Sequence, residues 1–559
     1  MPRMLLLLPR IATEALSRCR RGDNLPIVSN LWPPYPNWQR ERTQNPPSVS
    51  SSLTGGTEHR HCAALASVRG MSSGPVPHMS PDEFREHGRR VVDWIATYWE
   101  RLPTLPVLSQ VSPGQVRAGL PGTPPRIGSH GSLDALMADL DEVVLPGITH
   151  WQHPGFMAYF PANASGPSVL GDLLSSGLGV QGMLWATSPA CTELEQVMLD
   201  WLVDLLGLPA AFRNDGAGGG VIQDSSSGAN FVALQAALHH ATDGTSVTDG
   251  VSGSHIVYAS SQTHSSVEKA ARMAGLGSRA VRTVDVDPAT LAMVPAHLAE
   301  LVAADRAAGL VPAMVAATIG STSTTAIDPV AEIGAVCRQY GVWLHIDAAF
   351  AGVAAVSPAL RWINDGVADY ADSYCTDAHK WLLTNFDATA FWVRDRRHLT
   401  GALSILPEYL RNQASDSGTV VDYRDWQIEL GRRFRALKLW MVIGWYGADG
   451  LRAHIEGHVA LAQELAGWVE ADDRFEVVAP HPLSLVCLRP RWPGHEDEEA
   501  DGLTMSVIES LNRSGKVFLT HTKVAGRTVI RVAIGAPATT HEHVQDVWNL
   551  IRAEVAAHS

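Results

Sequence analysis

Between about residues 220 and 395 the chain alternates short β-rich runs with stretches of helical periodicity, and no other feature limits the fold as strongly. Residues 251–260 contain a strand and 265–274 read as a helix. Residues 311–318 are a strand, Asp328-Pro329 opens a helix that Tyr340-Gly341 ends, and 342–347 are the next strand. Alternation of this kind predicts an α/β fold, a largely parallel sheet covered by helices on both faces. Ligands of such sheets bind in the crevice beyond the carboxyl ends of the strands. Polar residues at those ends are therefore the first place to look for chemistry.

The flanks read differently. Residues 1–78 are expected to be a disordered tail or a misassigned start, with Met71 and Met79 as later start points. Met4 to Leu8 is too short for a signal-peptide core, which needs about 7–15 apolar residues. The arginines at 3, 10, 18, 20 and 21 hint at a transit peptide, and Glu14 and Asp23 dilute that pattern. Order is predicted to begin at Ser80, where Ser80-Pro81-Asp82-Glu83 combines an N-cap serine, a first-turn proline and a capping-box glutamate. Phe84, Val91, Val92, Ile95, Tyr98, Trp99 and Leu102 then make one apolar stripe. Ser188-Pro189 opens another capped helix that Gly207 stops. The expected divisions are an N-terminal helical segment over 79–164, a large domain over 165–437 and a smaller C-terminal α+β domain over 438–559.

Composition narrows the function class. With 45% hydrophobic and 18% charged residues the chain is globular. A formal net charge of −14 argues against nucleic acid or an anionic membrane as the main partner. Six cysteines without a C-x-x-C pair point to reduced thiols of a cytoplasmic protein, with no zinc or other metal site. No apolar run approaches the ~18–20 residues of a membrane span.

Four polar features fall at the expected edge. Lys380 sits beside Trp381, Leu382 and Leu383. A lysine there can snorkel to water; desolvated, it has a lowered pKa and becomes an amine nucleophile toward an aldehyde. Asp347 ends a strongly apolar strand, where it can cap a helix or pair with a protonated pyridine nitrogen. Ser225-Ser226-Ser227 opens an apolar helix, a position that caps the helix and also suits a phosphate. His264 lies at a strand-to-helix turn, as a capping residue or as an imidazole stacked on a ring. Serine turn, His, Asp and Lys on one edge together favour a pyridoxal-phosphate site with Lys380 as the Schiff-base lysine.

Longer stretches sharpen this reading: 146–160 (PGITHWQHPGFMAYF), 185–195 (WATSPACTELE), 263–269 (THSSVEK), 343–352 (WLHIDAAFAG), 379–386 (HKWLLTNF) and 422–438 (DYRDWQIELGRRFRALK). In these the chain, from about 79 to 556, resembles the group II pyridoxal-phosphate-dependent decarboxylases, the aromatic-L-amino-acid decarboxylase family of fold type I. The resemblance implies an enzyme that releases CO₂ from an L-amino acid, aromatic in preference (Phe, Tyr, Trp or Dopa). It implies that Lys380 carries the cofactor, Asp347 pairs its ring nitrogen and His264 stacks on the ring. Ser226, Ser227 and His379 would hold the phosphate, Thr322 would lie near the ring or Asp347, and Ala349 would cover the ring's other face. Tyr409 would be the mobile-loop proton donor, which favours amine over aldehyde as product. Trp151, Tyr159, Phe160, Pro161, Gln181 and Met183 would form the substrate pocket, within a homodimer that shares its active sites. An oxidative aldehyde synthase and an acidic amino-acid decarboxylase are the alternatives on the same fold. Asp377 departs from the family's asparagine, and a carboxylate beside a phosphate is unfavourable unless protonated or turned away.

Overall fold

The computed structural model describes residues 78–125, 128, 132–405 and 420–558. The alternating region forms seven strands: β1 (Gly219–Gln223), β2 (His255–Ser260), β3 (Val281–Val284), β4 (Val311–Thr318), β5 (Trp343–Asp347), β6 (Ser373–Asp377) and β7 (Thr389–Val393). Their order across the sheet is β1-β7-β6-β5-β4-β2-β3. The four pairings from β3 to β6 are parallel, and β7 is antiparallel to both β6 and β1. Only β7 therefore runs against the rest, and β1 points the same way as β6. The carboxyl ends of six strands meet at one edge, and β7 starts there.

Every residue of β1, β5, β6 and β7 is buried, as strands covered on both faces must be. The helix Ser226–Ala241 crosses one face over β4, β5 and β6. It is capped by the Ser225 hydroxyl, which accepts from the Gly228 amide at 3.2 Å. Side-chain alternation makes that face polar beneath the helix: His345 and Asp347 from β5, and Ser373, Cys375 and Asp377 from β6, share it. The helix answers with Ser226 and Asn230, one turn apart. The sequence reading placed β4 at its observed bounds and left β6 and β7 unassigned, because the polar alternation of SYCTD resembles a surface strand.

A second, antiparallel sheet has the order β10-β11-β9-β8, from β8 (Phe475–Val477), β9 (Leu485–Pro490), β10 (Thr520–Val524) and β11 (Arg527–Ala533). Its apolar core includes Phe475, Val486, Leu488, Val507, Ile530, Val532 and Ile551. The helix Arg435–Glu470 runs across residue 438, where the sequence reading divides the large from the small part. Its first half, including Leu439 and Val442, packs in the larger core, and its second half, including Leu465 and Val469, packs in the smaller one.

The capping box at Ser80 is present, with both reciprocal bonds, and starts the helix Pro81–Arg101. Its apolar stripe does not enter the core of this chain. Phe84, Val91, Val92 and Trp99 are exposed, and only Leu102, just past the helix, is buried. No helix among the described residues is long and apolar enough to cross a membrane.

Candidate active site

At the shared strand edge β1 leads into Ser225–Ser227, β2 into His264 and β4 into Gly320 and Thr322. Asp347 and Asp377 end β5 and β6. A cavity of about 260 Å³ opens there. All eight residues assigned from sequence to the cofactor line it: Ser226, Ser227, His264, Thr322, Asp347, Ala349, His379 and Lys380. Ser225, Thr318, Gly320, Phe350 and Asp377 complete the wall. Gly320 adopts φ +80°, and a Cβ there would stand 2.4 Å from that of Ala351, so the close approach and the backbone both require glycine.

Lys380 differs from expectation in its charge. Burial pushes its amine down, but the Asp377 carboxylate 2.7 Å away, with Asp347 beyond it, pulls harder and holds the amine above its ordinary value. It is an ion-paired ammonium, where the sequence argument expected a pKa lowered by desolvation. Asp377, also buried, is turned toward its partners. Oδ2 faces Lys380, while Oδ1 accepts from Ser226 Oγ at 2.7 Å and from Thr389 Oγ1 at 2.5 Å. Thr389 is its direct cross-strand neighbour on β7. Burial works against the Asp377 charge, yet Lys380, His379 and these hydroxyls hold the carboxyl below its ordinary range.

Asp347 is 3% exposed and in the opposite situation. Its oxygens accept from Asn230 Nδ2 at 2.9 Å and from the Ala349 amide at 3.1 Å, both neutral donors. Among the described residues no lysine or arginine pairs with it, since the charge of Lys380 is committed to Asp377. A buried carboxylate on a cavity wall without a counter-charge calls for a cation from the cavity side. A protonated pyridine nitrogen is such a cation. The first amides of the helix Ser226–Ala241, with the hydroxyls around them, suit the phosphate of the same molecule. The residues thus fit pyridoxal phosphate on the structure's own terms. His264 and His379 are both pushed down by burial, which favours neutral rings.

The expected substrate residues are placed less uniformly. Phe160 is buried and stacks at 3.6 Å on Phe350, which lines the cavity. Pro161 is buried beside Gly535. Tyr159 lies on a neighbouring cavity that shares Thr322, and Trp151 stacks on Tyr159 at 5.7 Å. Gln181 and Met183 are outside the cavity wall; Gln181 is exposed and Oε1 accepts from the Arg432 amide. Tyr409 lies outside the described residues. Two residues that sequence reasoning missed support the wall. Arg531 donates to the carbonyls of Thr322 (2.6 Å), Ser323 (2.9 Å) and Tyr159 (3.3 Å), fixing the loop after β4. Asn230 holds Asp347. Neither carries a motif; only the burial of a polar residue within an apolar run marked them.

A parallel sheet whose edge brings together a reactive lysine, an unneutralised carboxylate and a phosphate-competent helix start defines a pyridoxal-phosphate enzyme of fold type I. Residues 113–491 match the pyridoxal-dependent decarboxylase conserved domain, and the chain belongs to that family. It is 44% identical over 479 residues to phenylacetaldehyde synthase of Arabidopsis thaliana, covering 86% of this chain and 97% of that protein. It is likewise 44% identical over 482 residues to tryptophan decarboxylase 2 of Oryza sativa subsp. japonica, covering 85% and 95%. The crystal structure of Oryza sativa TDC with PLP and tryptamine superposes with a TM-score of 0.83 at 41% identity, covering 86% of this chain and 99% of that one.

Proposed function

We propose that this protein is a carboxy-lyase that converts an aromatic L-amino acid to its amine and CO₂, using pyridoxal phosphate. The observation that carries the reading is Asp347, a buried carboxylate with no lysine or arginine partner among the described residues, facing the same cavity as Lys380. When bound, the cofactor supplies an electron sink for the electron pair left on Cα as CO₂ departs. The chain's own groups do the rest. Lys380 would hold the cofactor covalently, and Asp377 Oδ2, 2.7 Å from Nζ, would take up the proton that the ammonium gives up. Asp347 would keep the ring nitrogen protonated, His264 and Ala349 would face the ring, and Ser226, Ser227 and His379 would hold the phosphate. Tyr409 would return a proton to Cα.

The aromatic preference is supported by relatives named for tryptophan and tyrosine decarboxylation. The stacked pair Phe160–Phe350 supports it too, as does a cavity wall that contains no arginine among the described residues to receive a side-chain carboxylate. A second reading, oxidative aldehyde formation, is favoured by the equal identity to the Arabidopsis synthase. One assay tests both: holoenzyme with Phe, Tyr, Trp, Dopa, His and Glu, scored for CO₂, amine, aldehyde and O₂ consumed. Amine from an aromatic substrate without O₂ uptake is expected. Aldehyde with O₂ uptake replaces the main reading by the second, and CO₂ from Glu alone overturns the aromatic assignment.

The working form is proposed to be a homodimer in the cytoplasm. Leu170, Leu173, Leu174 and Leu178 form an exposed apolar row on the helix Gly166–Leu178, and the stripe of the helix Pro81–Arg101 is also uncovered. A second copy would bury both. The described cysteines, 191, 337, 375 and 487, are buried free thiols, which suits a reducing compartment.

A further inference from the structure

The polar seam beneath the helix Ser226–Ala241 contains a side chain that does not line the cavity and yet touches Asp347 and, through Ser266, reaches His264. Asn230 is fully buried. Its Nδ2 donates to Ser266 Oγ at 2.8 Å and to Asp347 Oδ2 at 2.9 Å, and its Oδ1 faces His345 Nε2 at 2.7 Å. The amide has one workable orientation. Turned over, Oδ1 would meet the Asp347 carboxylate oxygen, two acceptors at hydrogen-bond distance.

That orientation fixes the hydrogens on both sides. The Ser266 amide donates to His264 Nδ1 at 3.3 Å, which leaves that nitrogen without a hydrogen, so the Ser266 hydroxyl, while accepting from Asn230, turns its own hydrogen to Nδ1 at 2.8 Å. Nδ1 of His264 is thus an acceptor, and the ring hydrogen resides on Nε2. On the other side His345 Nε2 donates to Asn230. His345 Nδ1 then accepts from Ser373 Oγ at 2.9 Å, which in turn accepts from Trp343 Nε1 at 2.9 Å. From Trp343 through Ser373, His345, Asn230 and Ser266 to His264 Nδ1 each donor meets an acceptor, and burial pushes both imidazoles toward the neutral form. The branch to Asp347 is the row's single contact with a charge.

We infer that Asn230 is a positioning residue: one amide aims the Asp347 carboxylate at the cavity and, through Ser266, locks His264 in its Nε2–H tautomer. The inference rests on the reading that Asp347 and His264 face the bound cofactor. A hydrophobic residue at 230 would fill the same space, but it would leave Asp347, Ser266 and His345 each short of a partner in a site sealed from water.

The first test needs no variant. Nitrogen-15 NMR of the full-length, cofactor-free chain with labelled histidine reads the tautomer of each ring, and His264 should show a protonated Nε2 and a bare Nδ1. A bare Nε2, or a mixture of tautomers, overturns the inference. The second test uses Asn230→Asp, which preserves shape and turns the donor into an acceptor, beside Asn230→Leu and Ser266→Ala. Both Asn230 variants should bind pyridoxal phosphate roughly 10- to 100-fold more weakly, the cost of one hydrogen bond to a charged group. Ser266→Ala removes the hydroxyl but keeps the amide 3.3 Å from Nδ1, so it should loosen the His264 tautomer without reversing it and keep cofactor affinity within about tenfold. Asn230→Asp with wild-type affinity removes Asn230 from the site. Failure of the wild type to bind the cofactor, or retention of its absorbance in Lys380→Ala, instead overturns the underlying site assignment.

Discussion

Two buried lysines in this chain show how differently the same burial can end. Lys380 stands at the cavity with Asp377 at 2.7 Å, and its amine is held above the ordinary value. Lys438 lies under the helix Gly166–Leu178, 1% exposed; its amine forms no hydrogen bond among the described residues, and the nearest carboxylate oxygen, on Asp172, is 3.9 Å away. There burial prevails, and the amine is pushed down to about 8. By ionisation alone Lys438 is the better nucleophile. It has no cavity to act in. Reactivity is assigned by what a lysine faces, and a counter-ion that raises its pKa can also be the group that takes its proton.

The comparison breaks most sharply at Lys380. Lys380→Ala should lower CO₂ release by roughly 10³-fold or more and abolish the visible absorbance of covalently held cofactor; Lys438→Ala should do neither. Next comes Asp347→Ala, expected to cost about 10²-fold or more in turnover and to weaken cofactor binding, measured by titrating the cofactor-free chain. Asp377→Asn then separates counter-ion from scaffold. With the carboxylate gone, burial is opposed only by weaker pulls such as that of Asp347, so the acid limb of cofactor attachment should move to lower pH, followed by absorbance. An unchanged limb would mean that Asp377 does not set the charge on Lys380. The smallest effect belongs to Lys438→Met, which removes a buried amine with no hydrogen bond among the described residues and only a long ion pair to Asp172, and should stabilise the fold by about 1–3 kcal/mol at neutral pH, by denaturant melts.

The pH signs of the two lysines are opposite. Below about pH 8 folded and unfolded chains both hold the Lys438 proton, and its full penalty applies. Between about 8 and the ordinary 10.5 the folded chain releases it first, so stability rises with pH and the advantage of Lys438→Met shrinks. Lys380, raised in the fold, contributes stability below its ordinary value and loses it as pH climbs past the raised one.

Much of this architecture was legible in the sequence. The capping residues Ser80, Ser188 and Ser225 and the apolar run of β4 are local signals, read within a few residues. The residues around the cavity were legible because a parallel sheet collects strand ends, so Asp347 and His264 line one cavity although they stand 83 positions apart, farther than a motif spans. What escaped was pairing. Whether Lys380 is charged depends on a carboxylate three positions earlier whose direction is set by Ser226 and Thr389, on a different helix and strand. Asn230 is one of several polar residues in the helix Ser226–Ala241, and its partners come from β5 and the turn after β2. The stripe of the helix Pro81–Arg101 was legible as an apolar face, but periodicity does not report what covers such a face, and this one is exposed.

The helix Arg435–Glu470 links the two cores in a further way. Leu439, Val442 and Ile455 belong to one and Leu465 and Val469 to the other; the kink at Gly447 lies within the first group, and the turns between Ile455 and Leu465 join the two. Neither core can melt without stripping turns from a rod that the other holds. Heat should therefore find one cooperative transition where two sheets would suggest two, and a protease that nicks the connection between them should release no folded fragment.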